Sequence, residues 1–155
     1  MRGETLTRRL VVGLGAAVAV LVVDQTTKAI APGYIGAPVR VIPGVLTFTY
    51  AENTGASFSL FQGAGFFLGL AAIAAVALTV GALLRPRPLG EVVGFGLIAG
   101  GALGNLTDRV LRGPGWFDGA VVDWIQLPNF PVFNLADTAI TFGVALLMIA
   151  AWRSR

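Results

Sequence analysis

Four long apolar runs dominate the chain: Leu10 to Val23, Phe66 to Leu84, Val92 to Leu106, and Val132 to Trp152. Each is apolar on all faces, unlike a soluble helix, which alternates a core stripe with a polar face. A helix that crosses a bilayer needs about 20 residues. The first run must therefore extend through Asp24 toward Ile30, and the third through Asp108 and Arg109. This pattern predicts an all-α integral membrane protein, one polytopic domain over residues 1–155, with spans at about 10–30, 64–84, 91–111 and 131–152.

Two segments between the spans read differently. Residues 31–58 hold Gly, Pro and β-prone runs, Pro38 to Ile42 and Val45 to Tyr50, which predict short strands on one membrane face. Gly113-Pro114-Gly115 opens the second segment, and Ala120 to Leu127 reads as a strand before Pro131, which is expected to start the fourth helix. A small extracytoplasmic β region thus accompanies the four helices. In the third span Gly96, Gly100 and Gly104 form two overlapping G-x-x-x-G units, expected to let a neighbouring helix approach closely.

Charge then orients the spans. Arg2, Arg8 and Arg9, Arg85 and Arg87, and Arg153 and Arg155 share one side, whereas Lys28, Arg40, Arg109 and Arg112 fall on the other. The excess of basic residues on the first side places both termini in the cytoplasm. Arg8 and Arg9 ahead of an apolar run also fit a cleavable signal peptide. Its removal would leave three spans and no soluble domain to export, so the run is expected to be kept as the first helix.

The composition, 55% hydrophobic and 12% charged, agrees with a membrane chain, since soluble domains are about one quarter charged. With no Cys and no His, thiol nucleophiles, imidazole bases and the usual zinc or iron ligand sets are excluded. Carboxylates, lysine and hydroxyls remain for chemistry. The net charge of +3 forms no patch or stripe, so no nucleic-acid partner is expected.

The polar residues that stand out are Asp24, Lys28, Asn53, Asn105, Asp108, Arg109, Asp123, Asn134 and Asp137, all toward the outer side. An ionised group at the bilayer centre costs roughly 2.5 to 3.5 kcal/mol on insertion scales, so such residues face protein or water. A shared cavity explains them together. Asp24 and Lys28, four apart, can form a structural ion pair or line that cavity. Asn105, Asp108 and Arg109 share a helix face, and Asp108 can also pair with Arg112. Asp123 lies in the strand-like run between apolar residues. Asp137 is expected two turns into the fourth helix, roughly 9 Å from Pro131. If the fold brings Asp123 and Asp137 together they can share one proton and act as the acid and base of an aspartic dyad; two separately paired aspartates are the other reading of the same spacing.

The motifs themselves, Asp24 to Lys28 (DQTTK), Asn53 to Phe58 (NTGASF), Gly104 to Arg109 (GNLTDR), Val121 to Trp124 (VVDW) and Phe133 to Thr138 (FNLADT), resemble in order those of the bacterial lipoprotein signal peptidases, the aspartic class II signal peptidases. The resemblance implies a multi-pass protein of the bacterial cytoplasmic (inner) membrane with its active site toward the outer face. It implies a membrane aspartic endopeptidase that removes the signal peptide from diacylglyceryl-modified prolipoproteins, cutting just before the lipid-modified cysteine, without cofactor or metal. By motif match Asp123 and Asp137 are the catalytic pair. Asp24, Lys28, Asn53, Gly55, Asn105, Asp108, Arg109, Asn134 and Ala136 are the expected substrate- and inhibitor-binding residues. Membrane lipids and globomycin-type inhibitors are the further implied partners, and a monomer is expected. Ser57 departs from the more common Ala of the second motif, and the stretch between the two aspartates is short.

Three rival readings remain at this level, one of them a purely structural membrane scaffold, which would tolerate Asp137→Asn with only a change in stability. A serine and lysine peptidase would use Lys28 as base and Ser57 or Ser59 as nucleophile. A proton-coupled transporter would need a relay across the membrane, yet the inner halves of the runs hold no ionisable residue.

Overall fold

The computed structural model describes residues 5–55, 65–113, 117 and 119–154. Four helices carry the long apolar runs: α1 (Leu6–Tyr34), α2 (Gly65–Leu83), α3 (Leu89–Leu111) and α4 (Leu135–Arg153). All four are long and apolar enough to cross a membrane. Three strands, β1 (Val39–Ile42), β2 (Leu46–Asn53) and β3 (Val121–Gln126), form an antiparallel sheet in the order β1-β2-β3. The large apolar side chains of α1, α2 and α4 are mostly exposed, as suits helices whose outer surface meets lipid rather than water.

α3 is the central helix and packs on α1, α2 and α4. Small residues explain why. A methyl group added at Gly96 would come within 2.5 Å of the Gly13 carbonyl oxygen, and one at Gly100 within 2.6 Å of that of Ala17. The G-x-x-x-G stripe therefore seats α1 against α3 backbone to backbone, as the spacing predicts. On the opposite side Gly101 faces the Ala136 carbonyl of α4. Close contact on both flanks fixes the C-terminal end of α3 relative to α1 and α4, where the polar residues gather.

α1 continues without interruption through Asp24 and Lys28 to Tyr34. The start of α4 differs from the expectation built on Pro131. Phe133 is held extended by an antiparallel bridge to Ile125, its N–H donating to the Ile125 carbonyl at 2.9 Å and its carbonyl accepting from Ile125 at 2.8 Å. The helix then begins at Leu135 with Asn134 as its N-cap. Asn134 Oδ1 accepts from the Asp137 N–H at 2.9 Å, and Asp137 Oδ2 accepts from the Asn134 N–H at 3.2 Å. This reciprocal capping box outweighs the preference of proline for a first turn. Asp137 accordingly sits in the first turn of α4, not two turns inside it.

β2 and β3 pair through Ala51↔Asp123, Glu52↔Val122 and Asn53↔Val121. β2 thus runs beyond the expected Tyr50 to Asn53, because the ladder with β3 continues that far. The sheet meets the helices through β3, which contacts both α1 and α3.

Candidate active site

Asp123 lies on β3 and is 3% exposed. Both of its carboxylate oxygens accept hydrogen bonds from side-chain amides: Oδ1 from Asn134 Nδ2 at 2.6 Å and Oδ2 from Asn53 Nδ2 at 3.1 Å. Asn53 is oriented for this because its Oδ1 accepts from the Gly55 N–H at 3.1 Å, which turns the amide nitrogen toward Asp123. Asp137 is held in the same manner. Its Oδ1 accepts from Asn105 Nδ2 at 2.8 Å, and its Oδ2 is engaged by the capping box.

One residue therefore joins the two acids. Asn134 donates to Asp123 through its side chain and to Asp137 through its backbone. The juxtaposition shows in the chemistry of Asp123, whose carboxyl is pushed up from the ordinary carboxylate range to about 7. Burial is the main cause, since it disfavours the charged form, and the negative charge of Asp137 adds to it. The Asn53 and Asn134 hydrogen bonds act in the opposite sense, stabilising the anion.

A cavity of about 320 Å³ opens beside the pair. Its polar wall is Asn53, Gly55, Asn105, Arg109, Asp123 and Asp137, and its apolar wall comes mainly from α2, including Leu68, Ala71 and Ala75. Arg109 Nη2 donates to the Gly55 carbonyl at 3.0 Å and so ties the end of β2 to α3. Its Nη1 is buried with no acceptor among the described residues. A larger cavity of about 630 Å³ lies on the sheet, between Arg40, Thr47, Gln126 and Pro131. It holds neither aspartate, and the paired acids rather than size identify the site.

Five residues expected at the pocket wall do not line this cavity. Asn134 is fully buried beneath the pair that it holds, and Asp24, Lys28, Asp108 and Ala136 are fully buried behind it. The reason for the charged three is electrostatic. Lys28 Nζ lies 2.9 Å from Asp24 Oδ2 and 2.9 Å from Asp108 Oδ2, and donates to Asn105 Oδ1 at 2.8 Å. Buried charges persist when they are paired and fully hydrogen-bonded. Asp108 also pairs with Arg112 at 2.9 Å, so the anticipated Asp24–Lys28 and Asp108–Arg112 pairs both form and merge into one network. Gly104 belongs to it too, because a methyl there would come within 2.5 Å of Asp24 Oδ2.

With all three ammonium donors engaged, Lys28 is not arranged to accept a proton as a base for a serine nucleophile. Ser57 and Ser59, the nucleophiles of that rival reading, lie outside the described residues. Ala136, expected as a binding residue, and Val122 act instead through their backbone N–H groups, which donate to Asp24 Oδ1 at 2.9 Å and Asp108 Oδ2 at 3.2 Å. No side-chain signature marks such donors.

A polytopic membrane protein with one buried and one half-buried aspartate, jointly hydrogen-bonded at one end of its helical bundle, is the class that fold and site define. The family described as Signal peptidase (SPase) II matches residues 16–153. The chain belongs to that family, a family of peptidases. It is 41% identical over 147 residues to the lipoprotein signal peptidase of Mycobacterium tuberculosis (strain ATCC 25618 / H37Rv), an alignment that covers 92% of this chain and 71% of that one. It is 44% identical over 118 residues to that of Streptomyces coelicolor, covering 75% of this chain and 57% of the relative. A solved structure described as a bacterial membrane enzyme, determined by the in meso method, superposes with a TM-score of 0.81 at 34% identity, covering 91% of this chain and 87% of the other.

Proposed function

We propose that this protein is an aspartic endopeptidase that removes the signal peptide from diacylglyceryl-modified prolipoproteins, cutting just before the lipid-modified cysteine, with Asp123 and Asp137 as the catalytic pair. The observation that carries the reading is the double hold of Asn134 on both acids. Two carboxylates held by one residue, Asp123 buried and Asp137 half-buried, share one proton, so that one acts as acid while the other acts as base.

In the reaction, the ionised carboxylate takes a proton from water as the water oxygen attacks the scissile carbonyl carbon. The protonated carboxyl gives its proton to the carbonyl oxygen. Collapse of the tetrahedral intermediate breaks the C–N bond as one of its hydroxyls returns a proton to the second carboxylate, and the proton held by the first acid passes to the leaving amine, which restores the pair. Arg109 Nη1, which has no acceptor among the described residues, supplies a donor at the cavity wall for a substrate carbonyl. Asn53, Gly55 and Asn105 complete the binding surface with Asn134 beneath it, and globomycin-type inhibitors would compete there. The apolar α2 wall suits a substrate whose signal helix and acyl chains stay in the bilayer and arrive at the depth of the pair, a positioning effect.

The basic residues at Arg8 and Arg9, Arg85 and Arg87, and Arg153 support a cytoplasmic position for both termini. The aspartates then face the outer side of the bacterial inner membrane, where translocated precursors emerge. The reading is tested by offering the purified protein a diacylglyceryl-modified precursor and the same precursor without the lipid. Mass spectrometry of the products should find cleavage of the modified form alone, with the lipid-bearing cysteine as the new N-terminus. Equal cleavage of both forms, or a cut elsewhere, would contradict it.

A further inference from the structure

The buried network behind the cavity reaches each aspartate by the same means. Asp137 is preceded by Ala136, whose N–H donates to Asp24 Oδ1 at 2.9 Å. Asp123 is preceded by Val122, whose N–H donates to Asp108 Oδ2 at 3.2 Å. Each supporting acid thus grips the backbone one residue before an aspartate of the pair, and Lys28 stands between them, 2.9 Å from both. All three charged side chains have no solvent exposure. Gln25 Nε2 links the same two acids, at 3.2 Å from Asp24 Oδ2 and 3.1 Å from Asp108 Oδ1.

Lys28 has a third arm. Its ammonium donates to Asn105 Oδ1 at 2.8 Å, which leaves Asn105 Nδ2 to donate to Asp137 Oδ1 at 2.8 Å. An amide can present either end, and the ammonium, together with Asn134 Nδ2, which donates to the same oxygen at 3.1 Å, selects the end that suits a carboxylate. Turned over, Asn105 would aim its carbonyl oxygen at Asp137 and repel it.

We propose that Lys28 is a positioning residue for the aspartate pair, fixing the Val122–Asp123 and Ala136–Asp137 backbones through Asp108 and Asp24 and, with Asn134, setting the orientation of the Asn105 amide against Asp137. This rests on the reading of Asp123 and Asp137 as the catalytic pair. Lys28 does not line the cavity, so its removal changes the rate of the chemical step and leaves substrate binding in place.

The experiment compares four purified full-length proteins in one cleavage assay with a diacylglyceryl-modified precursor: wild type, Lys28→Met, Lys28→Met with Asp24→Asn, and Asp137→Asn. Folding is checked by thermal unfolding in detergent. The single variant leaves two buried carboxylates without their cation and can fail to fold. The double variant removes one of them, and the amide introduced by Asp24→Asn keeps an oxygen for the Ala136 N–H, so it carries the test. The expected result is a folded double variant whose kcat is at least thirtyfold below wild type with KM within threefold. A folded double variant with kcat within threefold of wild type overturns the proposal, as does a KM rise that accounts for the loss. A double variant that does not fold assigns Lys28 to stability alone and overturns it equally. Asp137→Asn separates the two levels: if it retains turnover, the catalytic pair itself is misassigned, whereas an inactive Asp137→Asn beside a fully active double variant rejects only the role of Lys28.

Discussion

Asn134 donates its side-chain amide to Asp123 Oδ1 at 2.6 Å while its own side-chain oxygen caps α4 by accepting from the Asp137 N–H at 2.9 Å. One amide therefore performs a folding task with its oxygen and a site task with its nitrogen. The two tasks can be separated, because serine is as good an N-cap as asparagine but lacks the nitrogen that reaches Asp123. Asn134→Ser should unfold within a few degrees of wild type and turn over about ten- to a hundredfold more slowly, the range expected for a hydrogen bond to a charged group of roughly 1.5–3 kcal/mol. Asn134→Ala should lose about 1 kcal/mol of stability in addition. Thermal unfolding and kcat, measured on both variants, check the separation.

The position of Asp123 near 7 gives activity a pH signature. If Asp123 carries the proton of the proposed pair, that proton is held below this pH and lost above it, and kcat should fall as pH rises through about 7. Asn53 opposes the upward shift by donating to the Asp123 anion at 3.1 Å. Asn53→Ala removes that donor, raises the Asp123 carboxyl further, and should move the alkaline limb to higher pH. A limb that stays in place or moves down, in a pH profile of kcat on residual activity, would count against Asp123 as its source. The same shift acts on stability. Folded Asp123 holds its proton up to about 7 while the unfolded carboxyl releases it near 3.8, so this group lowers stability as pH rises between those values.

Helix approach sets a further expectation. A methyl at Gly101 meets the Ala136 carbonyl oxygen and the Ile140 side chain, while one at Gly90 meets nothing within 4 Å. Gly101→Ala should cost about 1–3 kcal/mol as overpacking and should also disturb Ala136, the residue that Asp24 holds. Gly90→Ala should be neutral or slightly stabilising, since alanine favours a helix over glycine by up to about 1 kcal/mol. Unfolding midpoints in one detergent compare the two directly.

Much of this architecture was legible because polar residues are conspicuous in an apolar chain. The four spans, the strands and the gathering of Asp24, Lys28, Asn53, Asn105, Asp108, Arg109, Asp123, Asn134 and Asp137 at one end of the bundle follow from hydropathy and spacing. The separation of these residues into a cavity wall and a buried support does not. An Asp and a Lys four apart read alike in either place, and only the approach of α1 at Gly104 shows that Asp24 and Lys28 are sealed inside. The start of α4 was readable in principle, since Asn134 and Asp137 have capping-box spacing, but Pro131 offered a competing start. The bridge between Phe133 and Ile125 decided between them, and a pairing between segments has no local signature. The roles of Val122 and Ala136 are backbone roles and leave no trace in residue type.

The most direct test of the aspartate pair is the turnover of Asp123→Asn and Asp137→Asn, each purified and checked for folding, on a diacylglyceryl-modified precursor beside wild type. Asparagine keeps the shape of the carboxylate but cannot exchange a proton with water or the scissile carbonyl. Both folded variants should cleave at least a thousandfold more slowly than wild type, the scale of losing an essential general acid or base. If either one, correctly folded, retains near wild-type turnover, that aspartate is not catalytic and the proposed mechanism is wrong.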